Sequence, residues 1–351
     1  MAFINGIGLI SPQNTIDPEV FLQSIVEHKA EYMKSVDPVY KEFLDPLQTR
    51  RLSRIIKMGI TSARLCLRNA GCEMPDSIIT GTGLGSVEDT EKILAELPKE
   101  EKFLNPTPFI QSTYNTISSQ IAIYLRCHGY NSTYVHRTFS FESGLLDALL
   151  QLEEKSAENI LVGGIDEMSL NHLMVTRRSG LWKTEIINNL ELRKSMSPGA
   201  VAGEGSGYFM ISASPVPGTY ARITGVETIY KPSDFAFIKE KTIGFLQSNG
   251  LNLSDIDLIM VGVNGDDRWD GIYDAFTSNI FPGRPVSWFK HLCGEYHTAT
   301  SFALWATANI LKRQMYPPVM QLNDLQPLKI ENILIYNQFR NINHSMILVS
   351  R

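Results

Sequence analysis

The feature that most constrains this chain is a pattern that occurs twice: short, continuously apolar runs alternate with longer segments whose apolar residues fall at helical spacing. In the first series Phe3–Ile10 reads as an opening strand closed by Ser11-Pro12, and Leu52–Ala70 as a helix stopped by Gly71. Ser77–Thr80 reads as a short buried strand entering the glycines of Gly81–Gly85, Tyr114–Leu125 as a helix, and Ser132–Phe141 as a strand. Gly144–Glu154 is apolar on nearly every side, which predicts a fully buried helix. Asn159–Gly163 and Gly207–Ser212 are the remaining strands of this series. The second series has strands at Ala221–Tyr230, Leu258–Val263, Ile333–Tyr336 and Met346–Val349, with helices at Ser233–Ser248 and Ala299–Lys312. Continuous apolar strands separated by helices predict a mostly parallel sheet covered on both faces. Two such series predict an α/β chain with a duplicated five-layer α/β/α/β/α arrangement, its halves at 1–213 and 219–351. Pro215–Gly218, with two prolines and a glycine in four residues, reads as the seam.

Composition excludes several functions. The formal net charge is -5 and no long basic run occurs, which argues against nucleic acid as a partner. The four cysteines Cys66, Cys72, Cys127 and Cys293 form no CxxC pair and fit no zinc spacing. They read as free thiols in a reducing compartment. MAFINGIGLISPQ lacks the basic region and long apolar stretch of a signal peptide, and no run reaches the ~18 apolar residues of a spanning helix. The expectation is a soluble, cytoplasmic chain without membrane insertion and without a cofactor.

Seven segments in order resemble the β-ketoacyl synthases of the thiolase superfamily. These are Phe3–Pro12 (FINGIGLISP), Asn105–Gln120 (NPTPFIQSTYNTISSQ), Asn159–Glu167 (NILVGGIDE), Pro198–Gly205 (PGAVAGEG), Gly250–Gly265, Lys290–Ala299 (KHLCGEYHTA) and the closing pair Asn337–Val349. The phrases YNSTYVHRTFSFES and KHLCGEYHTA are similar to ketosynthase-like proteins of aryl-polyene-type pigment pathways. The resemblance implies a thiolase fold and action with an acyl carrier protein in fatty-acid or polyketide biosynthesis.

It also implies a catalytic set that this sequence does not carry. A condensing enzyme needs a cysteine thiolate at a strand-to-helix elbow and two histidines that stabilise an enolate. Here the elbow is Thr138–Gly144, TFSFESG. Aligning its end with the family's small-residue turn puts Phe141 at the cysteine position; a one-residue slip puts Ser140 or Glu142 there. No cysteine lies between Cys127 and Cys293, so the nucleophile is missing in every register. The first histidine position falls on Asn264, which donates a hydrogen bond but does not titrate near neutral pH. The second, counted from Lys290, falls on Glu295, whose negative charge opposes an enolate. Lys290 is retained, and it reads as a structural partner for Glu295. The family's Gly-Phe-Gly-Gly gate reads Arg340, Asn341, Ile342 and Asn343, which predicts a fixed or closed gate.

This combination resembles a chain-length-factor-like subunit: non-condensing, paired with a Cys-containing ketosynthase through the strand beside the elbow (Asn131–Phe141), or else a homodimer. The alternative is an acyl-transferring or thioester-hydrolysing enzyme on the same fold, with Ser140 as nucleophile and His297 or His136 as base. Other motifs carry less. Glu204 reads as a turn anchor. Cys127-His128 lacks a third member, and Cys293 lies where the family has no nucleophile. Gly81–Ser86 (GTGLGS) lacks dinucleotide spacing and reads as a turn. Asp266, Asp267 and Asp270 read as a solvated acidic loop rather than a metal site.

Overall fold

The computed structural model describes residues 1–98 and 105–351. Its centre is a ten-stranded sheet. The strands are β1 (Ala2–Ile10), β2 (Ser77–Gly81), β3 (Tyr130–Tyr134), β4 (Asn159–Asp166) and β5 (Gly205–Ser212), then β6 (Ala221–Tyr230), β7 (Leu258–Val261), β8 (Val286–Trp288), β9 (Asn332–Phe339) and β10 (Asn343–Ser350). Their spatial order is β8-β7-β9-β10-β6-β1-β5-β4-β2-β3. The first five strands thus lie in the order 3-2-4-5-1, and the second five repeat that order. Pairing directions repeat too. β2 runs parallel to β3 and β4, as β7 does to β8 and β9, while β5 and β10 run antiparallel to both neighbours. The halves join where Ala2–Ile4 of β1 pairs with Ala221–Ile223 of β6.

The helices used below are α1 (Arg54–Ala70), α2 (Thr116–Leu125), α3 (Ser140–Glu154), α4 (Leu170–Arg177), α5 (Phe235–Ser248), α6 (Gly271–Ile280) and α7 (Thr300–Arg313). Alternation along the strands shows the layering. On β9, Ile333 and Ile335 face a central core with Phe141 and Leu145 of α3 and Phe302 to Leu311 of α7. Leu334 and Tyr336 face the opposite way, onto Phe245 of α5 and Phe276 of α6. In the first half Ile160 and Val162 of β4 face the central core, while Leu161 and Ile165 face α1 and α2. Successive side chains of a strand point to opposite faces, so a strand with helices on both sides is apolar throughout. The five expected layers follow.

Three expectations need correction. The sheet is mixed, not mostly parallel, because continuous apolarity records burial of both faces and carries no information on strand direction. The strand expected over Ser132–Phe141 ends at Tyr134; Arg137–Phe139 form a 3₁₀ turn and Ser140 opens α3. The reason is local: Ser140 Oγ accepts from His136 N–H (2.9 Å) and donates to Arg137 C=O (2.7 Å), taking backbone groups a strand would use. The helix after it is not fully buried, since Leu150 is exposed. α1 ends as expected, with Gly71 at φ 64°. Among the described residues no helix is long and apolar enough to cross a membrane.

Candidate functional site

The elbow between β3 and α3 sits under the end of β2, so close that a Cβ on Gly81 would lie 2.4 Å from Ser140 O. Ser140, Phe141 and Glu142 are all fully buried. The Ser140 hydroxyl shares its proton between Arg137 O and Thr82 O (2.9 Å) while accepting from His136 N, so its bonding capacity is filled by backbone. The Phe141 ring packs on Phe209 at 5.7 Å between centroids, and a Cβ on Gly164 would come within 3.1 Å of it. An aromatic ring therefore fills the space at the helix start. The Glu142 carboxyl accepts from Ser345 Oγ (2.9 Å), and its second oxygen has no hydrogen-bond partner among the described residues. Burial pushes its pKa up to about 7, against the pull of Ser345 and the Lys290 charge.

Across the central core the loop after β7 and the turn Lys290–Cys293 bring three expected residues together. Glu295 Oε2 accepts from Lys290 Nζ (2.5 Å) and from Asn264 Nδ2 (2.7 Å). Lys290 is 1% and Glu295 5% exposed, so the ion pair is buried. Asn264 Oδ1 accepts from Asp266 N–H (3.1 Å), and the Asp270 carboxylate accepts from the N–H groups of Asn264 (3.1 Å) and Gly265 (2.7 Å). Glu295 is held in turn by its backbone, whose N–H donates to Val201 O (2.8 Å). Gly294 permits this approach: it stands at φ 76°, and a Cβ there would lie 2.6 Å from Gly203 Cα. The result is a closed knot of lysine, glutamate and asparagine side chains that contains no imidazole.

The remaining expected residues are spread apart. His297 lines a cavity of about 40 Å³ with Glu295, Glu167, Trp182 and Phe339. Ligand pockets for molecules of drug size run to about 300–1,000 Å³, so this space is far smaller. Burial holds His297 down at about 4, hence neutral at pH 7. None of the Ser140 hydrogen bonds reaches an imidazole of His297 or His136. His136 is exposed and stacks on Phe139 at 5.4 Å. Cys293 is buried, which pushes its thiol well above the ordinary range. Cys127 Sγ donates to Pro75 O, and His128 is exposed beside it.

At the gate, the three-residue loop Arg340–Ile342 joins β9 to β10; Arg340 (φ 53°) and Asn341 (φ 55°) are left-handed, and Ile342 N–H donates to Phe339 O at 3.0 Å. Asn341 N–H also donates to Gln338 Oε1 (2.9 Å). The left-handed conformations are thus occupied without glycine, and the turn is tied on both sides.

Several residues that organise this region were not singled out by sequence reasoning. Asp166 is fully buried at the end of β4 and accepts from Thr82 Oγ1, Gly83 N, Leu84 N, Thr298 N and Thr298 Oγ1 at 2.8–3.2 Å. It consumes the N–H groups of the Gly81–Ser86 loop that a phosphate would need. Burial pushes its pKa to about 6. Glu167, next to it, is pushed to about 8 by burial and by the Glu88 and Glu204 charges. The available signal was two acids ending an apolar strand. Glu204 does more than anchor a turn: it accepts from Ser35, from Met168 N and from both terminal nitrogens of Arg54, which also pairs with Asp37. Asp266 pairs with Arg268 at 2.6 Å, and the described residues hold no group of three metal-ligating side chains.

Residues 25–172 match the N-terminal domain family of β-ketoacyl synthases. Over its whole length the chain superposes on solved ketosynthases. One is the ishigamide ketosynthase/chain length factor, at TM-score 0.81 and 16% identity, covering 99% of this chain and 98% of that one. The chain has a ketosynthase-like fold. A β-ketoacyl synthase from Burkholderia phymatum matches at TM-score 0.80 and 16% identity, covering 100% and 99%. A ketosynthase in complex with its chain length factor from Xenorhabdus doucetiae matches at TM-score 0.79 and 14% identity, covering 99% and 97%. No curated protein matches significantly. The ketosynthase-like chain therefore has the thiolase fold that the seven sequence segments implied.

Proposed function

We propose that this ketosynthase-like chain is a non-condensing, chain-length-factor-like subunit. It pairs with a Cys-containing ketosynthase and acts with an acyl carrier protein in cytoplasmic polyketide biosynthesis of the aryl-polyene type. Phe141, Asn264 and Glu295 are read as the family's three catalytic positions, all replaced. The observation that carries the reading is the buried Lys290–Glu295–Asn264 knot, together with the Phe141 ring packed on Phe209 at the start of α3. Decarboxylative condensation needs a thiolate and two neutral hydrogen-bond donors; this arrangement supplies a ring and a paired carboxylate. The solved neighbours named above include a ketosynthase seated with its chain length factor, which supports the kind of partner. The Ser140 alternative finds no support in the hydroxyl's bonding, which is filled by backbone groups.

The test is co-expression with a Cys-containing ketosynthase and an acyl carrier protein, followed by native mass measurement and a malonyl-dependent condensation assay. A one-to-one complex active only when both subunits are present supports the reading. Condensation by the isolated chain, or an acyl mass on Ser140, overturns it.

A further inference from the structure

The two buried acids at the end of β4 differ in how their oxygens are used. Asp166 has both filled: Oδ1 accepts from Thr82 Oγ1, Gly83 N–H and Leu84 N–H, and Oδ2 from the Thr298 N–H and hydroxyl. Glu167 is 1% exposed and has one filled. Its Oε1 accepts from the N–H of Glu88 (3.0 Å), in the first turn of the helix Val87–Glu96. Its Oε2 is buried with no hydrogen-bond partner among the described residues. Buried polar atoms are nearly always bonded, to protein or to ordered water.

Glu167 lines the cavity of about 40 Å³ together with His172, Glu295 and His297. Two of the polar neighbours are committed elsewhere. Glu295 is held by Lys290 and Asn264, and Trp182 Nε1 donates to Thr176 Oγ1 (2.6 Å). The imidazoles remain. Burial lowers His172, against the pull of Glu91 and Asp166. Burial also lowers His297, against Glu295 and with the help of Arg137 and His172. Both rings are therefore neutral at pH 7, and each keeps one nitrogen as an acceptor. Burial and the Glu88 and Glu204 charges, opposed by Arg54, push the Glu167 carboxyl up to about 8, so it carries a proton at pH 7. One unbonded acid and two imidazoles thus border one small space.

Size decides what can join them. A buried water needs roughly 10–15 Å³ of such space and two to four polar partners, so the cavity has room for about two or three. Cavities that stay dry are lined by apolar groups, and this one is not. We propose that this cavity is a hydration site, in which a short chain of waters links Glu167 Oε2 to the imidazoles of His172 and His297 beside the Lys290–Glu295–Asn264 knot. The waters also set what the space refuses. A group that displaces ordered water without replacing its hydrogen bonds loses affinity, so the chain of waters excludes apolar ligands. This hydration is independent of the partner-subunit reading, and either can fail without the other.

High-resolution crystal structures of the full-length chain at pH 7, with and without xenon pressure, test it. Wild type should show ordered water within hydrogen-bonding distance of Glu167 Oε2 and of an imidazole, and no xenon in the cavity. E167Q, which keeps a donor and an acceptor at the same reach, should retain these waters. E167L/H297L should lose them and take up xenon at the same place. If the double variant does not fold, wild type and E167Q decide the matter. A dry wild-type cavity, xenon bound in it, or Glu167 Oε2 bonded directly to a protein group overturns the inference, as does E167L/H297L with its waters unchanged.

Discussion

Replacing Lys290 by methionine probes the buried charges directly. Lys290 and Glu295 are 1% and 5% exposed, and their contact is 2.5 Å. K290M keeps an unbranched side chain of similar reach but leaves the Glu295 carboxylate with Asn264 Nδ2 (2.7 Å) as its side-chain donor. Removing one member of a buried ion pair costs about 3–5 kcal/mol, because the other charge stays desolvated. For 351 residues, an unfolding entropy of about 2.1 cal/mol/K per residue means each kcal/mol moves Tm by roughly 1.4 °C. K290M should therefore melt about 4–7 °C lower at pH 7. E295Q should also destabilise, since it strands the ammonium. The double variant K290M/E295Q carries no unpaired buried charge and should recover at least about 2 kcal/mol relative to the sum of the singles. Scanning calorimetry of the four proteins completes the cycle. Single variants within about 1 °C of wild type, or strictly additive losses, would refute a buried and mutually dependent pair.

Other perturbations follow from the same contacts. F141A removes a fully buried ring packed on Phe209 and should cost about 3–5 kcal/mol in urea denaturation. On the proposed reading of Phe141, Asn264 and Glu295 as replaced catalytic positions, F141C should give no malonyl-dependent condensation; turnover by F141C alone would overturn that reading. Glu142 is raised to about 7 in the folded chain from the ordinary 4.5. The folded state therefore binds the extra proton between those values, and its stability should fall as pH rises through that window and level off above it. E142Q should flatten this slope in Tm against pH, and an unchanged slope would assign it to other groups. Arg340 takes φ 53° without being glycine, so R340G should raise stability by about 1 kcal/mol, read as a higher urea midpoint with unchanged m-value.

The edge strand and the gate show how local and long-range causes divide. The sequence expectation ran one strand from Ser132 to Phe141 because the residues favour extended backbone. The chain instead turns at Arg137, since a single hydroxyl, Ser140 Oγ, binds two backbone groups of the preceding turn. Glycine loss at Arg340–Asn343 led to the expectation of a fixed or closed gate; the structure shows a tied turn whose left-handed positions are taken by Arg340 and Asn341.

Sequence alone determined the layered architecture, because period and burial write it into every strand, and the absence of any cysteine between Cys127 and Cys293. It also brought Lys290 and Glu295 together, since only four residues of chain lie between them. Only the tertiary structure decided strand direction, because a strand buried on both faces reads the same either way. It alone assigned the buried acids Asp166, Glu142 and Glu167 their partners, since those come from segments up to 203 residues away. And it alone placed β3 and β8 at the two ends of the sheet, because which strand ends a sheet depends on the order in which all ten pack.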